Sequence, residues 1–133
     1  MLSTSDPASR DESLWKRFQK ESESVPFPLL VLDDSATIRR CTPSACRLLQ
    51  HDPGSLAEQS FLSLVHGRNV QRVMRDLAHL VHRRLQTASW LLRLRAGGGR
   101  WRWYRAVVRA SGATASGAAA DGRPVLFVRL RPA

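Results

Sequence analysis

Two cysteines and four histidines carry the side chains of this sequence that are best suited to nucleophilic or metal chemistry. Cys41 and Cys46 form neither a CxxC motif nor a set with histidine at metal-ligand spacing. Cys41 falls at the end of a predicted strand and Cys46 on the next helix, where both are expected to be small buried side chains. A disulfide between them is the alternative, which a reducing cytoplasm disfavours.

The histidines do not converge on a site. His79 and His82 lie three residues apart on one predicted helix and in principle share a metal ion, but no third ligand accompanies them. We therefore interpret the pair as part of the polar flank of that helix and predict no metal site. His51 and His66 are isolated in the sequence.

No catalytic constellation is recognisable in the sequence. It contains no Ser/His/Asp or Cys/His set and no paired carboxylates in a stretch that is predicted to face a pocket. Gly97-Gly98-Gly99 is not a phosphate loop, because it falls on a predicted hairpin and not before a helix. We therefore expect that the protein is not an enzyme.

The formal charge of +10 would suit a nucleic-acid ligand, because phosphate contacts dominate such affinities. Only Lys16 and Lys20 among the 21 cationic residues are lysines, however, and this arginine bias, with the many alanines, is typical of a GC-rich genome. The arginines are also spread over the predicted helix, hairpin and C-terminus. Nucleic-acid binding is therefore a less favoured alternative.

The bulk properties of the chain indicate one folded domain. At 133 residues the chain is long enough to bury its own core. No apolar run approaches the about 20 residues that span a bilayer, and the residues after Met1 lack the pattern of a signal peptide. We therefore expect a cytoplasmic protein with no membrane association.

The elements that would position these side chains begin with two short strands. Leu29–Leu32 is apolar at every position, which predicts a strand covered on both faces. The turn at 33–36 leads to a second strand that ends at Cys41. Thr42 is a good N-cap and Pro43 suits a first helical turn, so a short helix is expected next.

A longer amphipathic helix is predicted from about Arg68 to Leu85. Its apolar residues recur at the spacing of one helical face. They are Val70, Val73, Met74, Leu77, Leu80 and Val81.

Three strands are predicted to follow this helix. The first is centred on 90–95 and the second on 101–109, and the three glycines join them in a hairpin. Residues 111–122 are rich in Ala, Gly and Ser and are expected to form a flexible loop. The last strand is predicted over 125–130.

Residues 1–24 are predicted to be a polar segment with a flanking amphipathic helix, and residues 25–131 the main domain. Leu14, Trp15 and Phe18 form an apolar stripe at helical spacing. Such a short helix is not stable alone in water, so it is expected to dock on its own sheet or on a partner subunit.

In this order, the elements resemble a PAS domain over residues 26–130. The segments that carry the resemblance are Leu30–Asp33 with Ile38, Thr42–Ala45 with Leu48 and Leu49, Phe61–His66, Gly99–Trp103 and Asp121–Val125. His66 matches a family histidine that is usually structural, which favours helix capping as its role. The sequence departs from the family at Ala36 and Gln50, where glycine is usual, and Thr42 replaces an asparagine.

The resemblance implies an α+β fold, in which a five-stranded antiparallel sheet carries short helices and one long helix on one face and the N-terminal helix on the other. Between sheet and helices, relatives hold haem, flavin or a metabolite, or fill the space with side chains. Val70 stands near the position of the reactive cysteine of flavin-binding photoreceptors. Asn69 and Val70 occupy the stretch of the long helix in which haem-binding relatives have their histidine ligand, and His79 comes more than two turns later. We therefore expect neither haem nor flavin.

A pocket of this kind would be lined by both helices and by the strands. The candidates are Leu30, Leu32, Ile38, Thr42, Leu48, Leu49, Val73, Leu77, Trp90, Leu92, Leu94, Tyr104, Leu126 and Val128. These side chains either leave an apolar cavity for a small molecule or pack closely and leave none, and close packing is the favoured interpretation.

The outer face of the sheet is predicted to be rich in apolar groups, with Arg105 placed to add a cation–π contact to Trp103. Uncovered, it would be a larger apolar patch than monomers usually expose. The residues that form or cover this dimer surface are predicted to be Leu14, Trp15, Phe18, Leu29, Val31, Trp101, Trp103 and Phe127. The cover comes either from the chain's own N-terminal helix or from a second copy.

These observations favour a sensory module of a bacterial signal-transduction protein, which forms a homodimer and relays a signal to an effector domain or a partner signalling protein. The alternative is a receptor domain for a cofactor or a metabolite.

Overall fold

The computed structural model describes residues 27–52, 54–110 and 124–133. Within these ranges, short 3₁₀ turns occur at Phe61–Leu64 and Gly97–Gly99. The strands and α-helices are β1 (Leu29–Leu32), β2 (Ile38–Cys41), α1 (Pro43–Leu49), α2 (Gly67–Val81), β3 (Thr87–Arg95), β4 (Trp101–Ala110) and β5 (Leu126–Pro132). The helix predicted in 1–24 and the loop predicted at 111–122 lie outside the described residues.

The five strands form one antiparallel sheet in the order β2-β1-β5-β4-β3. Both helices lie against one face, where Leu49 and Leu77 join Leu30 and Leu92 of the sheet in the main core. The predicted α+β fold, a five-stranded sheet with helices on one face, is therefore confirmed. Among the described residues, neither helix is long and apolar enough to cross a membrane.

β1 is buried on both faces, as its unbroken apolar sequence predicts. Leu30 and Leu32 point into the main core. Leu29 and Val31 point the other way and join Phe127 in a second apolar cluster, because alternate side chains of a strand face opposite sides of the sheet.

Thr42 joins the start of β1 to the start of α1 through one buried hydroxyl group. Its Oγ1 accepts hydrogen bonds from the backbone N–H of Ala45 at 3.2 Å and of Leu29 at 3.0 Å, and it donates to the carbonyl oxygen of Phe27 at 3.0 Å. Pro43 takes the first helical position, so the predicted start of this helix is confirmed. One side chain thus satisfies three backbone groups.

α2 ends at Val81, before the Leu85 that the periodicity predicts. Arg83 adopts a left-handed conformation with φ of 63°, and the backbone N–H of Arg84 bonds the carbonyl oxygen of His79 at 2.7 Å. These are features of a Schellman motif, which usually has glycine at the left-handed position. Because arginine stands there, the sequence carries no signal for this helix end.

Candidate functional site

Most of the side chains predicted to line a pocket are packed together in the main core. The buried members are Leu30, Leu32, Ile38, Leu49, Val73, Leu77, Trp90, Leu92, Leu94, Tyr104, Leu126 and Val128. Leu48 is half-buried against this core, and Thr42 is buried at the cap of α1.

Protein groups satisfy the polar atoms of the two large aromatic side chains of this core. The Trp90 Nε1 donates a hydrogen bond to Asp76 Oδ2 at 2.8 Å, and the Tyr104 hydroxyl donates to the carbonyl oxygen of Leu48 at 3.2 Å. Trp90 also lies against Phe61, with ring centroids 6.4 Å apart. Burial raises the pKa of Tyr104, so its hydroxyl stays protonated and remains a donor. Both aromatic groups therefore fill space between the sheet and the helices.

An open cavity of about 240 Å³ lies beside this core, between the turn after β1 and the second half of α2. Two predicted pocket residues, Leu77 and Leu126, line it. The other lining residues are Asp34, Ser35, Ala36, Leu62, Met74, Ala78, Val81 and His82. The sequence pattern assigns Met74 to the buried stripe of α2, whereas its side chain is 51% exposed. The volume suits a molecule smaller than a drug-sized ligand.

The outer face of β3 and β4 exposes four large apolar side chains, which are Leu91, Trp101, Trp103 and Val107. Trp101 is 45% exposed and Trp103 is 50% exposed. Both point away from the main core, which Tyr104 enters from the opposite side of the same strand.

The outer face has two parts, where the sequence pattern predicts one continuous surface. One part is a buried cluster formed by Leu29, Val31, Val125 and Phe127, with Phe27 against it. Phe127 is opposite Arg109, near the end of β4, whereas Trp103 precedes the residue that pairs with Pro132. Trp101 and Trp103 therefore lie at the other end of the sheet, beyond the last pair of β4 and β5.

Arginines surround the exposed tryptophans, and β3, β4 and β5 contain no acidic residue. The outward-facing arginines at this end of the sheet are Arg93, Arg95, Arg105 and Arg131. The guanidinium of Arg93, and not of Arg105 as predicted, lies over the ring of Trp103 at 5.0 Å, because Arg93 is its cross-strand partner. We call these arginines and the four exposed apolar side chains the Trp–Arg face.

His66 joins the Trp–Arg face to the start of α2. Its ring meets Trp101 edge-on, with centroids 4.8 Å apart, and its Nδ1 accepts a hydrogen bond from the backbone N–H of Arg68 at 3.1 Å. The capping role expected for His66 is therefore confirmed. Burial, and then the charges of Arg93 and Arg68, lower the pKa of His66, which favours the neutral ring that the cap requires. The contact with Trp101 carries no local sequence signal.

Comparison with known proteins assigns the family. A family model described as the PAS fold matches residues 22–123. The chain belongs to the PAS family. Curated protein sequences gave no match.

Solved structures share the fold of this PAS domain at low sequence identity. The PAS domain of an HTR-like protein from Haloarcula marismortui is 15% identical with a TM-score of 0.65, over 92% of this chain and 94% of that chain. That of nitrogen regulation protein NR(II) from Vibrio parahaemolyticus is 18% identical with a TM-score of 0.59, over 98% and 100%. That of a LuxR-family transcriptional regulator from Burkholderia thailandensis, solved in complex with ethanol, is 14% identical with a TM-score of 0.61, over 84% and 94%.

This PAS domain keeps left-handed backbone at two positions where glycine is usual in the family. Ala36 has a φ of 64° and Gln50 a φ of 59°. A left-handed conformation costs a residue with a Cβ about 1–2 kcal/mol. Ala36 and Gln50 therefore keep the left-handed backbone of these two turns without glycine, and they lower the stability of the fold by doing so.

Proposed function

We propose that this PAS domain is a non-enzymatic sensory module that forms a homodimer through the Trp–Arg face and relays a signal to an effector domain or a partner signalling protein. The observation that carries the proposal is the exposure of Trp101 and Trp103 among outward-facing arginines. Membership of the PAS family supports the sensory part, because similar PAS domains come from a nitrogen regulation protein and a transcriptional regulator.

The composition of the Trp–Arg face is that of a protein interface. Tryptophan and arginine are enriched at the residues that contribute most binding energy, and these residues sit at the centres of interfaces. Stacking of Arg93 on Trp103 holds both side chains in place before a partner arrives, which lowers the entropy lost on association.

A second Trp–Arg face is a poor partner by itself, because two arginine-rich surfaces repel each other. Residues 11–23 hold four acidic residues against three basic ones, together with the apolar stripe of Leu14, Trp15 and Phe18, so this segment lacks the excess of positive charge that the Trp–Arg face carries. In the proposed dimer, residues 11–23 of each copy cover the Trp–Arg face of the other. Their apolar groups meet the tryptophans, and their carboxylates meet the arginines.

Sedimentation velocity of the full chain tests this proposal. Trp103→Ala is expected to raise the dissociation constant of the dimer at least about tenfold, which corresponds to about 1.4 kcal/mol. Met74→Ala is the matched control, because it removes an exposed apolar side chain outside the Trp–Arg face and is expected to leave the constant unchanged. A wild-type chain that stays monomeric at high micromolar concentration would refute the dimer.

A small-molecule receptor is the second candidate, and the cavity beside α2 is the observation that favours it. Its apolar lining, which includes Leu77 and Met74, is combined with the polar groups of Asp34 and His82. Native mass spectrometry and an absorbance spectrum of freshly purified protein test this function. A bound mass that disappears in Ala78→Trp, which fills the cavity, would support it, and the lack of any bound mass would count against it.

A further inference from the structure

The sulfur atoms of Cys41 and Cys46 lie 3.3 Å apart and are not joined by a disulfide bond. Cys41 ends β2 and is half-buried, whereas Cys46 lies in α1 and is 4% exposed. A disulfide bond places its sulfur atoms about 2.05 Å apart, so closure requires an approach of only ~1.3 Å. The fold therefore brings together two thiols that the sequence places on different elements.

We propose that Cys41 and Cys46 form a redox-modification site, in which hydrogen peroxide converts the dithiol into an intramolecular disulfide. In the first step the sulfur of Cys41 attacks the peroxide and the O–O bond breaks, which gives a sulfenic acid on Cys41 and releases water. In the second step the sulfur of Cys46 attacks that of Cys41, the S–O bond breaks and a second water leaves. The two thiols lose two electrons and two protons, and the peroxide is reduced.

The surroundings of the two thiols set the order and the rate of these steps. Cys41 is the more accessible thiol and reacts first. Burial, followed by the hydrogen bond with Cys46 and the charge of Cys46, raises the pKa of Cys41 to about 12. Because the thiolate is the nucleophile, the first step is slow at neutral pH and the dithiol is the resting state. The contact with Cys46 then directs the sulfenic acid to a disulfide before further oxidation.

Formation of the disulfide restrains the junction at which Thr42 joins the start of β1 to the start of α1. Thr42 follows Cys41 in the chain, and its hydroxyl bonds the backbone of Phe27 and Leu29 as well as the first turn of α1. A bond between the two sulfurs fixes the end of β2 to α1 around this hydroxyl. The disulfide therefore stiffens the point at which the chain enters the sheet, and it does so whether or not the domain dimerises.

Mass spectrometry of the folded full chain after treatment with hydrogen peroxide tests the site. The wild-type chain is expected to lose two hydrogen atoms, with the new bond mapped between Cys41 and Cys46 and reversed by dithiothreitol. Hydrogen exchange at the amides of Leu29 and Ala45 is expected to slow. Cys41→Ser and Cys46→Ala each keep one thiol and are expected to gain oxygen instead, and circular dichroism checks that both variants are folded.

Two results would overturn the proposed site. One is a wild-type chain that gains oxygen on cysteine without forming the internal bond. The other is a chain that stays reduced under peroxide exposure that oxidises free cysteine completely. An internal disulfide that leaves exchange at Leu29 and Ala45 unchanged would overturn the proposed effect on the Thr42 junction.

Discussion

The carbonyl oxygen of Gln50 occupies the place where a side chain at Gly97 would begin, since a Cβ added at Gly97 would lie 1.6 Å from that oxygen. Gln50 is the C-cap of α1, and Gly97 begins the turn between β3 and β4. The end of the short helix and the tip of the hairpin are thus in backbone contact. Gly97 is required here for its lack of a Cβ, in contrast to Gly98, whose φ of 84° favours glycine.

Gly97→Ala is expected to lower the free energy of unfolding by about 1–3 kcal/mol, because the added methyl group must displace the backbone of Gln50. Gly67→Ala is the matched control, because nothing lies within 4 Å of a Cβ at that position. Urea denaturation measures both variants. Equal stability of Gly97→Ala and the wild type would show that the helix end and the hairpin tip are not in close contact.

Thr42→Ala is expected to lower the free energy of unfolding by about 2–3 kcal/mol, since it removes the Thr42 hydroxyl from the Leu29 N–H and the Phe27 carbonyl oxygen. It also leaves the Ala45 N–H with only the backbone carbonyl of residue 42 as its acceptor. Thr42→Ser keeps the hydroxyl and loses only a methyl group, so its expected cost is about 1 kcal/mol. Thermal or urea denaturation compares the two. A similar cost for both would assign the role of Thr42 to its methyl group.

The hydrogen bond from Trp90 Nε1 to Asp76 Oδ2 ties β3 to the middle of α2. A double-mutant cycle of Trp90→Phe and Asp76→Ala is expected to give a coupling of about 1–2 kcal/mol, because the side chain of Trp90 is buried and its N–H has a carboxyl oxygen as acceptor. Additive effects of the two substitutions would contradict this link.

His66 makes the stability of the domain depend on pH. Its pKa is lowered from 6.5 in the folded chain, so the unfolded chain takes up a proton first as the pH falls. The contribution of the neutral ring is therefore present above pH 6.5 and is lost as the pH falls through the folded pKa. His66→Asn keeps a capping side chain that does not titrate.

Urea denaturation of His66→Asn and the wild type at about pH 7 and about pH 5 measures this effect. The wild type is expected to lose more unfolding free energy on acidification than His66→Asn. The other three histidines are common to both proteins and cancel in the comparison. An equal loss in both proteins would show that the pKa of His66 is not lowered by folding.

Features that depend on neighbouring residues were predictable from the sequence. Thr42 was expected to cap α1 because a cap depends on the few residues that follow it. Alternation placed Trp101 and Trp103 opposite Tyr104, since side chains of a strand alternate whichever strand it pairs with. Because alternate side chains face opposite sides of a sheet, the unbroken apolar run of 29–32 predicted burial on both faces of that strand.

Features that depend on distant residues were not predictable. Arg93 and not Arg105 stacks on Trp103, because the register of β3 on β4 decides which arginine is opposite the ring. The register of β4 on β5 likewise separates Phe127 from Trp103. The exposure of Met74 depends on where the turn after β1 meets α2. The end of α2 at Val81 is followed by Arg83 in the left-handed position, where glycine is the usual signal.

In the proposed dimer, residues 11–23 of one copy cover the Trp–Arg face of the other. Isotope-filtered NMR on a mixture of labelled and unlabelled full chains measures contacts between copies directly. We expect nuclear Overhauser effects between Trp15 of one copy and the Trp103 indole of the other. If these effects occur only within one copy, or do not occur at all, residues 11–23 do not cover the Trp–Arg face of a second copy.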